Sequence, residues 1–189
     1  KATDGRQTPG FCFRLVDDAG ASVPHDGTTR GHLRVKGLWA TRTYLNTADG
    51  SALDADGWLI TGDVATIDAD GYMRIVDRAK DLIKSGGEWI PSVALEFAAV
   101  GHPEVLQAAA VAVDHAKYQE RPLLVVVRKP GSSLTEAQLL EFMAPKMARW
   151  WLPDAIVFVE RMETNATGKI LKHLLRDQYR DHLKARGAS

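Results

Sequence analysis

The apolar pattern of this chain changes once along its length. Up to about Val76 the apolar residues come in short alternating runs: Phe11 to Val16, His32 to Lys36, Trp58 to Thr61, Ala65 to Ile67 and Tyr72 to Val76. These runs are rich in β-branched and aromatic side chains and are separated by Gly, Asp and Pro clusters, the spacing of antiparallel strands. Asp68-Ala-Asp-Gly71 predicts a turn between the last two. Cys12 lies within the alternation of the first run, which predicts a core strand position.

From Ser92 the period lengthens. Ser92 predicts a helix N-cap, with Val93, Leu95, Phe97 and Val100 broadly on one side and Glu96 in the middle. His102-Pro103 predicts a turn into a strand over Val105 to Val113, and Leu123 to Val127 predicts a second strand. A helix follows from about Thr135, with Ser133 and Glu136 at capping-box spacing and Leu139, Leu140 and Met143 as its buried stripe. Trp150 and Trp151 before Pro153 read as packing at the entry to a third strand, Ala155 to Val159. A last helix, from about Leu171 to Ala185, is expected to bury Leu171, Leu174, Leu175 and Leu183. The expected fold class is α+β. A β-rich, barrel-like lobe over residues 1–78 is followed over 79–189 by a small α+β domain, a short sheet flanked by helices.

Composition narrows the function classes. The 189 residues, 45% hydrophobic and 25% charged, suit one or two globular domains. Twenty-four basic and twenty-four acidic side chains cancel, so no overall field draws the chain to nucleic acid. The aliphatic runs Ala108 to Val113 and Leu123 to Val127 are far shorter than the roughly 20 residues of a membrane helix. One cysteine cannot form an internal disulfide, which fits a reducing compartment and a cytoplasmic location. The six histidines contain no i,i+4 pair and have no cysteine partners at metal spacing, so no zinc site is expected. The terminal Arg186-Gly-Ala-Ser189 carries no peroxisomal address.

Three segments can carry chemistry. Thr61-Gly-Asp63 places a carboxylate at a strand end, where it could accept both hydroxyls of a ribose. Asp77-Arg-Ala-Lys-Asp-Leu-Ile-Lys-Ser-Gly-Gly-Glu-Trp-Ile90 packs three basic side chains and two adjacent glycines into a loop-like stretch. Thr164-Asn-Ala-Thr-Gly-Lys169 sets a lysine behind a glycine and ahead of a helix. Joining a carboxylate to the α-phosphorus of ATP brings two negative groups together, and a compact ammonium that touches both would offset their repulsion. Taken singly, each segment also has an ordinary reading: a turn aspartate, a solvated linker with a turn, and a surface lysine.

In order, the three segments resemble the late motifs of the adenylate-forming superfamily, and most of all the medium- and long-chain fatty acyl-CoA synthetases. The likeness runs over nearly the whole chain. It implies an ATP-dependent acid–thiol ligase that makes acyl-AMP and pyrophosphate and then the CoA thioester, by rotation of its C-terminal domain. Lys169 would be the catalytic lysine, Asp63 and Arg78 the nucleotide contacts, and Lys80 the hinge. Lys84, Gly86, Gly87, Glu88 and Trp89 would form the face used in the thioester step. ATP, CoA and Mg²⁺ are the implied cofactors, the metal ligands being expected outside this chain. The implied partners are an N-terminal large domain of the same enzyme, which would hold the phosphate loop and acyl pocket, together with the fatty acid; the resemblance leaves room for a homodimer of the full-length enzyme. This portion alone is expected to be inactive. Glu163, Thr164 and Asn165 depart from the usual proline, basic residue and threonine, and Asp77 stands where many members have glycine. A carrier-loading or luciferase-like member shares these motifs, and a non-catalytic interaction module is the alternative outside enzymes.

Overall fold

The computed structural model describes residues 3–44 and 52–186. The expectation about the terminal address therefore lies outside the described residues from position 187 on. Chain contacts divide the protein into two compact units, Lys1–Lys80 and Asp81–Ser189. The division falls after Lys80 rather than after Arg78, because Arg78 and Ala79 are still held by the first unit: Arg78 pairs with Asp63, and Ala79 N donates to Gly62 O.

The first unit is a five-stranded antiparallel sheet of β1 (Gly5–Arg6), β2 (Phe11–Val16), β3 (Gly31–Gly37), β4 (Leu59–Ile67) and β5 (Tyr72–Arg78), in the order β1-β5-β4-β3-β2. Leu15, Leu33, Ala65 and Ile67 form its core. The predicted turn is present: Asp68 O accepts from Gly71 N, and Asp68 Oδ1 accepts from the amides of Asp70 and Tyr72. Two expectations change. The runs Trp58 to Thr61 and Ala65 to Ile67 belong to one strand, because β4 continues through the Thr61-Gly-Asp63 triplet. Between the pairs Arg34–Ile60 and His32–Val64, residues 61, 62 and 63 of β4 stand opposite the single residue 33 of β3. That bulge needs Gly62, whose φ is +76°. Cys12 is on β2 but exposed, since the inward side of that strand carries Phe13 and Leu15.

The second unit contains β6 (Ile83–Ser85), β7 (Glu88–Ile90), α1 (Ser92–Val100), β8 (Val105–His115), β9 (Gln119–Arg128), α2 (Glu136–Met143), β10 (Ala155–Val159), α3 (Lys172–Tyr179) and α4 (His182–Arg186). Single 3₁₀ turns at Ala144–Lys146 and Arg149–Trp151 lead from α2 to β10. β9 is the central strand, antiparallel to β8 and parallel to β10. Side chains alternate across it. Ala108, Ala110, Leu124, Val126 and Ile156 pack with Leu95 of α1 and Leu139 and Met143 of α2, while Ala109, Val111, Leu123, Val125 and Val127 pack with Leu175 of α3. A sheet covered on both faces has no polar side to alternate with, which is why these strands read as continuous aliphatic runs.

Local details differ from the sequence reading. Pro91 occupies the N-cap of α1 in an extended conformation, and Ser92 is the first helical residue, fully buried. The buried stripe of α1 is Leu95, Ala98 and Ala99, an i, i+3, i+4 set, whereas Phe97 is 78% exposed. The capping box of α2 is Thr135 with Gln138 rather than Ser133 with Glu136. Glu136 instead reaches across to accept from Ile156 N. The last helical stretch is two helices broken at Arg180-Asp181; Leu175 is buried and Leu183 packs beside it, but Leu174 is exposed. The basic, glycine-bearing stretch is not a loop throughout: β6 and β7 form a hairpin whose turn is Gly86-Gly87, and Ser85 of β6 pairs with Gln119 at the start of β9. Both glycines have positive φ, +57° and +88°, as a two-residue hairpin turn that follows strand twist requires. Among the described residues no helix is long and apolar enough to cross a membrane.

Candidate active site

In the first unit the bulge at Gly62 presents Asp63 beside β5, where Asp63 and Arg78 are direct cross-strand partners. Arg78 Nε lies 2.8 Å from Asp63 Oδ1, and Arg78 Nη1 donates to Thr61 O at 3.3 Å. Thr61 Oγ1 accepts from Asp63 N, which fixes the backbone under the carboxylate. Asp63 is mostly sheltered, at 19% side-chain exposure, while Arg78 is 57% exposed. The result is a carboxylate with acceptor capacity to spare beside a guanidinium open to solvent, a suitable set for a polyhydroxyl ligand carrying negative charge. Lys80 is the last residue of this unit, in the turn that follows β5, and is exposed.

In the second unit Lys84 and Trp89 are opposed on the hairpin, with Lys84 Nζ 5.4 Å from the Trp89 ring centroid. Gly86, Gly87 and Glu88 are exposed at its tip. Bonds from the backbone of the hairpin hold it to β9 and the turn before it: Gly86 N donates to Tyr118 O, and Lys84 N donates to Glu120 Oε2. Lys169 is on a different loop, between β10 and α3. Because β9 and β10 are parallel, the chain leaves β10 for the lysine loop at the end that points away from the hairpin.

The lysine loop is shaped by one side chain. Asn165 Oδ1 accepts from Thr167 N, Thr167 Oγ1 and Lys169 N, and Asn165 N donates to Lys169 O. Thr164 and Ile170 form a bridge that closes the loop, with Gly168 at φ +80°. Asn165, a departure from the familiar pattern, is thus the residue that organises the backbone under Lys169. The Lys169 side chain is exposed.

Sequence reasoning missed the supports. Lys172, at the start of α3, is tied to Glu96 and Ser92 of α1, and Arg176 is paired with Asp81 at 2.9 Å. No short-range spacing announces contacts between residues 76 to 95 positions apart. Among the described residues no group of three or more His, Cys, Asp or Glu side chains could hold a metal ion.

The family model for the C-terminal domain of AMP-binding enzymes matches residues 94–169, a span that ends on the loop lysine. The chain is 51% identical over 183 residues to a 3-methylmercaptopropionyl-CoA ligase of Ruegeria lacuscaerulensis, covering 97% of this chain and 34% of that protein. It is 48% identical to a medium-chain-fatty-acid–CoA ligase of Ectopseudomonas oleovorans, covering 97% and 33%. Among solved structures, ATP-bound MatB from Rhodopseudomonas palustris superposes with a TM-score of 0.81 at 31% identity, covering 95% of this chain and 36% of that one. The chain belongs to the adenylate-forming superfamily of AMP-binding enzymes. It spans about a third of the length of the curated relatives it matches.

Proposed function

We propose that this chain is the C-terminal part of an ATP-dependent fatty acyl-CoA ligase. Its relatives named as CoA ligases support the reaction class, and the medium- and long-chain fatty acid ligases among them support the substrate class. The observation that carries the reading is that one small unit presents both an exposed lysine on an Asn165-organised loop and an exposed glycine-turn hairpin. Two reactions on one substrate need two such surfaces presented in turn.

In the first reaction a carboxylate oxygen of the fatty acid attacks the α-phosphorus of ATP and expels pyrophosphate, giving acyl-AMP. Asp63 accepts hydrogen bonds from the ribose hydroxyls, and Arg78, oriented by Asp63, contacts the nucleotide. The ammonium of Lys169 bridges carboxylate and phosphate oxygens as charge gathers between them. The domain that begins after the hinge at Lys80 then rotates. In the second reaction the CoA thiolate attacks the acyl carbonyl and AMP leaves, with Gly86 and Gly87 allowing close backbone approach and Lys84, Glu88 and Trp89 flanking the thiol path.

The full-length protein tests this. ATP–pyrophosphate exchange dependent on medium- or long-chain fatty acids, followed by CoA-dependent AMP release, is the expected result. Exchange supported only by aryl or amino acids would reject the substrate class, and no exchange with any carboxylate would reject the enzyme.

A further inference from the structure

Behind the Gly86-Gly87 turn lies a buried guanidinium that no motif includes. Arg121, near the start of β9, is 5% exposed, and all five of its N–H donors are taken. Nε and Nη2 both donate to Asp154 Oδ1, at 2.9 and 2.6 Å; Nη2 also donates to Leu152 O, and Nη1 donates to Trp150 O and to Ser85 Oγ. Ser85 is fully buried and immediately precedes the turn. The guanidinium carbon sits 4.6 Å from the Trp150 ring centroid, and Trp150 meets Tyr118 edge-on at 4.8 Å. Those two rings are the seat of the turn: a Cβ on Gly86 would come within 3.3 Å of Tyr118 and 3.5 Å of Trp150.

We propose that Arg121 is a positioning residue for the thioester step, clamping the Gly86-Gly87 hairpin turn onto β9 through Ser85, Trp150 and Tyr118. The inference rests on the reading of that hairpin as the thioester face. The physical argument is rigidity. A two-residue glycine turn on three-residue strands has little stiffness of its own, since glycine is the most conformationally free residue and a hairpin this short is marginal alone. Arg121 supplies a fixed plane that bonds the strand before the turn and stacks against the ring beneath it. Lysine could keep the charge opposite Asp154, but it has no planar fork to hold Ser85, Trp150 and Leu152 at once.

The test uses the full-length enzyme with Arg121→Met, Arg121→Lys and the milder Ser85→Ala, which removes one clamp bond and leaves the Asp154 pair. Amide exchange of the segment 83–90 reads the clamp. ATP–pyrophosphate exchange and CoA thioesterification of supplied acyl-adenylate read the two half-reactions. Arg121→Met should speed exchange at 83–90 and cut thioesterification on the order of 10²-fold, the size of loss that small misplacement produces. Pyrophosphate exchange should stay within about twofold, Arg121→Lys should fail to rescue, and Ser85→Ala should show the same pattern more weakly. Unchanged amide exchange in Arg121→Met and Ser85→Ala would overturn the clamp. Full rescue by Arg121→Lys would overturn it as well, leaving only a charge partner for Asp154. Faster amide exchange with normal thioesterification would overturn the proposal from the other side, since the clamp would stand and the thioester reading of the hairpin would fall.

Discussion

Lys172 Nζ lies 2.6 Å from Glu96 Oε1, and the same oxygen accepts from Ala110 N at 2.8 Å. One carboxylate oxygen therefore joins α1, β8 and the first residue of α3, three positions after Lys169. The pair is sheltered, at 16% and 19% side-chain exposure, and Ser92 Oγ takes a further bond from the ammonium at 2.8 Å. The lysine loop is rooted in the core of its unit, although its tip is exposed.

Glu96→Ala takes the carboxylate from the Lys172 ammonium, which keeps Ser92 Oγ, and takes the acceptor from the Ala110 amide. A loss of about 1–3 kcal/mol is expected, the cost of leaving a sheltered polar group without its partner. Glu96→Gln, which keeps an acceptor for Ala110, should cost less. Urea unfolding with amide exchange over residues 164–180 checks both, and an unaltered midpoint in Glu96→Ala would mean the bridge contributes nothing.

In the full-length enzyme Lys169→Ala should slow pyrophosphate exchange by about 10²- to 10³-fold or more, as loss of one well-placed charge does. Thioester formation from supplied acyl-adenylate should be largely kept, because the rotated domain no longer presents Lys169. Equal losses in the two half-reactions would reject the two-surface reading.

Lys80→Pro makes the opposite split. Proline holds φ near −65° and should trap one domain orientation, so adenylation persists while CoA thioesterification falls. Normal overall turnover in this variant would reduce Lys80 to a linker residue.

The attachment of α4 to β8 should respond to pH. The hydrogen bond from Lys184, with Arg180 nearby, holds the Asp114 carboxyl below its ordinary 3.8, and the bonds to Asp114 and then Asp181 raise Lys184 above 10.5. A lowered carboxylate contributes fully above its unfolded value, and that contribution fades as pH falls through the folded one. A raised lysine contributes fully below its unfolded value and fades as pH rises through the folded one. Protection of residues 180–184 should therefore hold level through neutral pH and drop only below 3.8 or above 10.5. Both side chains are substantially exposed, so added salt should shrink the effect. Lys184→Met should shrink the acid limb, Arg180 remaining beside Asp114; an acid limb of full size in that variant would assign it to other carboxylates.

The sequence by itself determined what depends on near neighbours. The aliphatic runs at 108–113 and 123–127 were legible as strands, and Asp68 to Gly71 as a turn, because side-chain period and turn chemistry act within a few residues. The order and residue types of the three motifs, enough to point to the family, were equally legible. Tertiary structure decided the partners. Charges along 78–88 masked a hairpin that exists because Ser85 can pair with Gln119 and bond Arg121, 36 positions away. A three-residue bulge on Gly62, set by pairing with β3, put Asp63 opposite Arg78. The edge strand β2 turned Cys12 outward, and Lys172 found Glu96 across 76 residues. Such choices are made by packing and by which loops close. Those energies belong to the assembled core, so no local spacing encodes them.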